Sequence, residues 1–200
     1  MSNGTLAMLD QAELQQLALN ASATNDSASA LGYLKEAVSR ADATATAHYL
    51  LGAEYAQIKM YERAIGEMEA GIALDPGLSV ARLQLGMLWL GADQPLRASE
   101  VLLPLEELGN GDPLSRFGAG LRHLVAEDLN AALRCLGEGV ELNSVNPALN
   151  NDMRSIMRHI ESTLAGGVVP GAPAAVEPDA APAADDSQHI LLSAYTGQRH

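Results

Sequence analysis

Three glycines in the middle of the chain, Gly52, Gly86 and Gly120, are separated by two equal steps of 34 residues. An alanine lies twelve residues after each glycine, and a large apolar residue lies four residues after the alanine. These residues are Ala64, Ala98 and Ala132, followed by Met68, Leu102 and Leu136. A constant period of this length, with no insertion between copies, indicates a repeat protein built from small units stacked in a row. The three copies cover residues 45–78, 79–112 and 113–146.

This pattern resembles the tetratricopeptide repeat (TPR), a 34-residue helix–turn–helix unit. The glycines match the small residue of the family's first helix, and the alanines match the small residue of its second helix. Small residues there let the two helices of a hairpin approach closely, and the large apolar residue fills the space beside them. The resemblance implies an all-α fold, a right-handed superhelix of helical hairpins. Scarce aromatic residues, 4% of the chain, also argue against a β-sandwich or barrel.

Helical patterns continue on both sides of the three repeats. Residues 1–44 contain a degenerate repeat, with Ala18, Ala30, Leu34 and Ala37 at the register positions. Residues 147–165 form an amphipathic helix that caps the array. Its apolar residues recur at spacings of three and four, and they are Leu149, Met153, Ile156, Met157, Ile160 and Leu164.

The composition changes after the capping helix. Residues 166–188 are rich in Pro, Ala, Gly and Asp, a composition that cannot bury a core, and we expect a linker there. Residues 189–200 form an apolar C-terminal segment. We expect linker and segment together to be a disordered tail.

Prolines mark several expected helix boundaries. Pro104 falls inside a predicted helix and is expected to bend or shorten it, because proline removes a backbone donor and clashes with the preceding turn. Asp112 and Asn146 each precede a proline, Pro113 and Pro147. Each pair predicts an N-cap residue followed by proline at the first helical position.

Charge and hydropathy exclude several classes of partner. The formal net charge is −13, from 12 Lys and Arg against 25 Asp and Glu. A chain this acidic repels phosphate backbones and anionic lipid, so we expect no nucleic-acid partner and no membrane partner. No apolar run has the length of a membrane span, and the N-terminal residues do not resemble a secretory signal. These features predict a cytoplasmic protein.

No motif in the sequence predicts catalysis, a cofactor or a metal. The chain has no nucleophile-elbow, phosphate-loop or zinc-protease signature. Lysine occurs only at Lys35 and Lys59, and the lone Cys135 falls between packing positions of a helix. We therefore expect a protein that is not an enzyme, has no cofactor and has no metal site.

The family resemblance also implies a binding groove. In TPR proteins one stripe of the first helix of each repeat lines the concave face. The corresponding residues are Thr46, Tyr49, Ala53 and Ala56, then Val80, Leu83, Met87 and Leu90, then Leu114, Phe117, Leu121 and Leu124. Of these we expect partner contacts from Tyr49, Ala53, Leu83, Met87, Leu90, Phe117, Leu121 and Leu124. The stripe has no Lys, Arg or Asn to hold a carboxylate, so it favours an apolar peptide or helix of another protein.

Two functional interpretations follow. The first is a protein-binding adaptor or chaperone. Three repeats with a capping helix are similar in architecture to the cytoplasmic chaperones of bacterial type III secretion translocators, whose apolar groove holds a client segment. The alternative is a structural or regulatory subunit of a larger assembly or enzyme complex, with its groove filled by its own or a neighbour's C-terminal segment.

The C-terminal segment is itself a candidate ligand. Ile190, Leu191, Leu192 and Tyr195 follow a polar linker and match the apolar character of the groove. We expect this segment to dock in the groove of its own chain or of a neighbour, which would cause self-association.

Overall fold

The computed structural model describes residues 6–166 of the chain. All regular elements in that range are helices, and the range contains no β-strand, which confirms the all-α prediction. The chain divides into two compact units, Met1–Ala81 and Arg82–His200. We call them the N-terminal unit and the C-terminal unit.

The N-terminal unit consists of two helical hairpins. The first pairs α1 (Gln11–Ala23) with α2 (Ser27–Ser39), and the second pairs α3 (Ala45–Gln57) with α4 (Tyr61–Leu74).

Side-chain caps begin the helices of the first hairpin. At the start of α1, Asp10 accepts a hydrogen bond from the backbone N–H of Glu13 (2.8 Å), and Glu13 accepts one from the backbone N–H of Asp10 (2.8 Å). This reciprocal pair is a capping box. Asp26 begins α2, and hydrogen bonds from the hydroxyl and the backbone N–H of Ser29 lower its pKa below the usual value. Met60 stands at the same place before α4 and makes no side-chain cap.

The C-terminal unit contains one hairpin interrupted by a 3₁₀ segment, one regular hairpin and a final helix. Its elements are α5 (Ser79–Gly91, which begins just before the unit boundary), α6 (Pro95–Leu102), the 3₁₀ helix Leu103–Leu108, α7 (Pro113–Val125), α8 (Leu129–Leu142) and α9 (Pro147–Leu164).

Proline shortens α6 as the sequence predicted. The α-helix ends at Leu102, and the chain continues as a 3₁₀ helix that contains Pro104. This tighter turn places Leu105 in the interior, where it is fully buried. A Cβ atom on Gly118 of α7 would lie 2.9 Å from Leu105 Cδ1, so Leu105 packs directly on the backbone of α7.

The two predicted Asx–Pro helix starts are confirmed. Asp112 accepts a hydrogen bond from the backbone N–H of Leu114 (2.7 Å), with Pro113 at the first helical position of α7. Asn146 accepts one from the N–H of Leu149 (3.0 Å) at the start of α9.

Helix starts repeat with the period found in the sequence. The first helices of successive units begin at Gln11, Ala45, Ser79, Pro113 and Pro147, and the second helices begin at Ser27, Tyr61, Pro95 and Leu129. Each step is again 34 residues, so α9 lies in the register of a further first helix.

The repeated glycines lie where two helices approach closely. A Cβ atom on Gly86 would lie 2.5 Å from Cγ and Cδ2 of Leu102, and one on Gly120 would lie 2.7 Å from Cγ and Cδ2 of Leu136. Real Cβ atoms do not approach other atoms so closely, so only glycine fits without movement. The predicted pairing of a small residue with a large apolar one is confirmed in both hairpins.

In each of the four hairpins, one residue of the turn has a left-handed backbone conformation, and it occupies the same position of the repeat. These residues have φ between 55° and 61°, none is glycine, and they are Asn25, Lys59, Asp93 and Glu127. In the α3–α4 turn, the N–H of Met60 bonds the carbonyl of Tyr55 (2.8 Å) and the N–H of Lys59 bonds that of Ala56 (3.0 Å). This pair of bonds is a Schellman motif, which satisfies the last carbonyls of the helix. The other three turns repeat the two bonds.

A group of buried asparagines connects α8 to α9. The side-chain amide of Asn143 donates to Oδ1 of Asn150 (2.9 Å) and to the carbonyl of Asn146 (2.9 Å). The amide of Asn150 donates in return to the carbonyl of Asn143 (2.8 Å). These bonds satisfy buried polar groups at the junction and fix the direction in which α9 leaves α8.

Candidate functional site

The predicted contact residues of the N-terminal unit are buried. Tyr49 and Ala53 have no exposed surface, and neither does Leu50 between them. Helix α3 is buried on nearly all sides from Tyr49 to Ala56, and Glu54 is the one charged residue in that stretch. A partner has no access to Tyr49 or Ala53 in this structure.

Helix α1 contributes to the burial of α3. The hydroxyl of Ser22 in α1 donates a hydrogen bond to the carboxylate of Glu54 in α3, and both residues are buried. At the start of α3, the amide of Gln15 donates to the hydroxyl of Thr44 (2.9 Å). The degenerate first hairpin is therefore attached to the first full repeat through polar contacts as well as apolar ones.

Three predicted contact residues of the C-terminal unit also lie in its interior. Leu83, Phe117 and Leu121 are at most 1% exposed. They belong to one buried apolar cluster, the C-terminal core. Its members are Leu83, Leu102, Leu105, Phe117, Leu121, Ala132, Leu136, Leu149, Met153 and Ile160.

The burial of Phe117 has a specific cause. A Cβ atom on Gly139 of α8 would lie 2.5 Å from Cδ1 and Cε1 of Phe117, so the ring lies directly against the bare backbone of α8. Phe117 is thus a packing residue of the α7–α8 hairpin. The signal in the sequence is the pair of Phe117 with Gly139, because the absence of a side chain at Gly139 leaves room for the ring.

The remaining three predicted residues keep exposed surface. Met87 and Leu90 of α5 and Leu124 of α7 are partly buried and pack against the C-terminal core. Leu114, from the same predicted stripe, is also partly buried there. We call Met87, Leu90, Leu114 and Leu124 the apolar strip. It combines exposed apolar edges with a packed, fully buried base, an arrangement typical of a protein-binding surface.

Acidic residues follow the strip residues at the ends of α5 and α7. Asp93 comes three residues after Leu90, and Glu127 and Asp128 follow Leu124. All three acidic side chains are exposed, and we call them the acidic rim. Asp128 also accepts a hydrogen bond from the backbone N–H of Ala131 (3.1 Å) and lies 3.9 Å from Nδ1 of His123. Because the C-terminal end of a helix carries partial negative charge, the rim favours a cationic group of a ligand.

Two arginines of α7 near the strip have acidic partners, whereas Arg97 of α6 stacks on the ring of Trp89, the residue before Leu90, at 4.7 Å from the ring centroid. Arg122 of α7 pairs with Glu106 and donates to the hydroxyl of Ser99 (3.3 Å). Arg116 pairs with Glu138 of α8. Both lysines of the chain belong to the N-terminal unit. The strip therefore has an apolar centre and an acidic end.

The predictions about metal sites, membrane spans and tail docking can be compared with the structure only over residues 6–166. Over this range no group of three or more His, Cys, Asp or Glu side chains could hold a metal ion. None of the described helices is long and apolar enough to cross a membrane. The predicted docking residues Ile190, Leu191, Leu192 and Tyr195 lie outside the described residues.

Comparison with known proteins gives matches at the level of structure only. No protein-family model and no curated protein sequence matches the chain. MamA (residues 41 to the end) from Desulfovibrio magneticus RS-1 is similar in structure, with a TM-score of 0.57 and 19% identity, covering 80% of this chain and 94% of MamA. YrrB, described as a TPR protein with an unusual peptide-binding site, has a TM-score of 0.58 and 22% identity, covering 79% of each chain. The chain therefore has a TPR-type, all-α fold.

Proposed function

We propose that this chain is a non-enzymatic adaptor that binds an apolar peptide segment of another protein through the apolar strip of its C-terminal unit. The observation that carries the proposal is the strip itself: four partly exposed apolar side chains pack against a buried core. Side chains that are already packed lose less conformational entropy when a partner binds. YrrB, which has the same fold, is described as having a peptide-binding site, and this supports the class of ligand.

The chemistry of the strip selects among peptides. It has no cationic side chain at its centre, so a ligand whose main anchor is a carboxylate is disfavoured. Leu90, Leu114 and Leu124 favour aliphatic or aromatic anchors, and the flexible thioether of Met87 adapts to different shapes. The acidic rim favours a basic residue beside those anchors.

The test is selection of peptides on the full chain from a random display library, followed by affinity measurements. We expect selected peptides to combine apolar anchors with a basic residue. The double variant Leu90→Asp/Leu124→Asp should weaken their binding by about tenfold or more, because a carboxylate at the centre of an apolar contact is desolvated without a partner. Residues such as Leu121 are unsuitable for this test, since a buried aspartate would unfold the unit.

A matched control is available in the same unit. Leu96 of α6 is 76% exposed and belongs neither to the strip nor to the core. The variant Leu96→Asp adds the same charge and should leave peptide affinity unchanged. Selected peptides that bind the double variant as tightly as the unmodified chain would show that the strip is not the binding site.

The second candidate function is a structural or regulatory subunit whose groove is filled. The specific observation in its favour is that only Met87, Leu90 and Leu124 of the eight predicted contact residues keep exposed surface, which leaves little of the predicted groove for an exchangeable ligand. On this interpretation the strip contacts a permanent neighbour, and display selection yields no peptide that depends on Leu90 and Leu124. A chaperone role in secretion stays a prediction, tested by whether a partner purified with the chain is an exported protein.

A further inference from the structure

We propose that residues 189–200 of the same chain occupy the apolar strip and compete there with external peptides. The inference rests on the proposed function, because it assigns a ligand to the same surface. Three properties of the chain support it: the character of the segment, its charge and its reach.

The character of the segment matches the strip. Ile190, Leu191, Leu192 and Tyr195 place four large apolar side chains within six residues. They come after a linker whose composition offers no other apolar anchor of this density. The segment therefore offers as many apolar anchors as the strip has exposed apolar edges.

The charge of the segment predicts the direction in which it lies on the strip. Residues 189–200 include Arg199 and contain neither Asp nor Glu, although the whole chain has a net charge of −13. The acidic rim of Asp93, Glu127 and Asp128 lies beside one end of the strip. Arg199 follows Tyr195 by four residues, about 13 Å of extended chain. When the apolar residues lie on the strip, Arg199 can therefore reach the rim.

Reach is not limiting. Helix α9 ends at Leu164, so about 25 residues separate it from Ile190. A flexible chain of that length has a root-mean-square span of roughly 25–30 Å. Ile160, near the end of α9, belongs to the C-terminal core against which all four strip residues pack, so α9 ends close to the strip. The segment can therefore reach the strip of its own chain, at an effective concentration on the order of millimolar.

The experiment uses the full chain and a labelled synthetic peptide with the sequence of residues 188–200. Fluorescence anisotropy measures peptide binding to the unmodified chain and to the tail variant Ile190→Asp/Leu192→Asp. If the segment binds the strip with a Kd of about 100 μM, an effective concentration near 1 mM weakens the peptide's apparent affinity about tenfold. The tail variant, whose own segment no longer docks, should therefore bind the peptide about tenfold more tightly than the unmodified chain.

Two variants test the details. Ser193→Asp adds charge to the tail without removing an apolar anchor, and a chain with this change should bind the peptide less tightly than the tail variant does. A peptide with Arg199→Glu should bind the tail variant more weakly, and the difference should shrink as salt is added, because the acidic rim is solvent-exposed.

Three outcomes would overturn the proposal. The first is equal peptide affinity in the unmodified chain and the tail variant. The second is peptide binding that survives Leu90→Asp/Leu124→Asp. The third is a full-length dimer, seen by light scattering, that the tail variant converts to a monomer, because the segment would then dock on a second copy.

Failure of this inference can be distinguished from failure of the proposed function. If library-selected peptides bind the strip and the 188–200 peptide does not bind the tail variant, the segment is not a ligand and the adaptor function stands. If neither kind of peptide depends on Leu90 and Leu124, both proposals fail.

Discussion

The most direct test of the packing between α5 and α6 is the addition of a methyl group at Gly86. The variant Gly86→Ala places a Cβ atom 2.5 Å from Cγ and Cδ2 of Leu102, where van der Waals contact needs about 3.5–4.0 Å. Leu102 is fully buried in the C-terminal core, so it cannot turn toward solvent to relieve the overlap. Overpacking of this kind costs about 1–3 kcal/mol.

An opposing effect reduces that cost. Alanine is favoured over glycine inside a helix by about 1 kcal/mol, so the net loss should be about 0–2 kcal/mol. For a chain of this length the loss lowers Tm by at most about 8 °C in thermal denaturation followed by circular dichroism. The matched control is Gly137→Ala in α8, where the new Cβ meets only Met157 Cε at 3.7 Å. That variant should raise Tm, because it gains helix propensity without overlap.

A double-mutant cycle assigns the loss to the overlap itself. Leu102→Ala alone leaves a cavity and should cost about 2–5 kcal/mol. In the Leu102→Ala background, Gly86→Ala should become stabilising by about 1 kcal/mol, which is a coupling of about 1–3 kcal/mol between the two sites. If Gly86→Ala and Gly137→Ala shift Tm equally, or if the effects at Gly86 and Leu102 simply add, the close approach of α5 and α6 is wrong.

Three further changes probe other parts of the structure. Lys59→Gly should stabilise the chain by about 1 kcal/mol in urea denaturation, since a left-handed backbone conformation is strained for lysine. Asn25→Gly should change the stability little, because asparagine tolerates that conformation. Burial raises the pKa of Asp152 to about 6, above the 3.8 of an exposed carboxyl, because desolvation disfavours the charged form. The stability that the neutral carboxyl contributes to the folded chain is therefore lost as pH rises from 3.8 through 6. Asp152→Asn should therefore raise the free energy of unfolding at pH 8, measured by urea denaturation, by about 1 kcal/mol after allowance for solvent screening, and this advantage should shrink below pH 6. Asn150→Ala should cost about 2 kcal/mol in urea denaturation because it leaves the buried polar groups of the α8–α9 junction without partners, whereas Asn151→Ala, at an exposed neighbour, should be neutral.

Local chemistry accounts for what could be predicted at the helix ends. Pro104 shortens α6 because it has no backbone N–H, and Asp112 begins α7 because its carboxylate caps a free N–H. Both effects act within a few residues, so they can be recognised without knowledge of distant contacts. The 34-residue period predicted the hairpins for a related reason, because the same pair of small and large residues packs together in each repeat.

The left-handed turns could not be found in the same way. Glycine is the usual signal for positive φ, and Lys59 and Glu127 do not provide it. The two Schellman hydrogen bonds and the packing of the helices hold these residues in a conformation that their side chains disfavour. The periodic position of the turn was accessible from the repeat, but its backbone conformation was not.

The repeat by itself determined the helical hairpins, their register and the pairing of small with large residues, because each depends on spacing along the chain. Which residues of the predicted stripe keep an exposed surface was decided only by the tertiary structure. Leu90 and Phe117 are both apolar and both lie on that stripe, yet Leu90 keeps an exposed edge and the ring of Phe117 lies against Gly139. Helical periodicity shows which way a side chain points, whereas its exposure depends on atoms of other helices that come to lie in front of it.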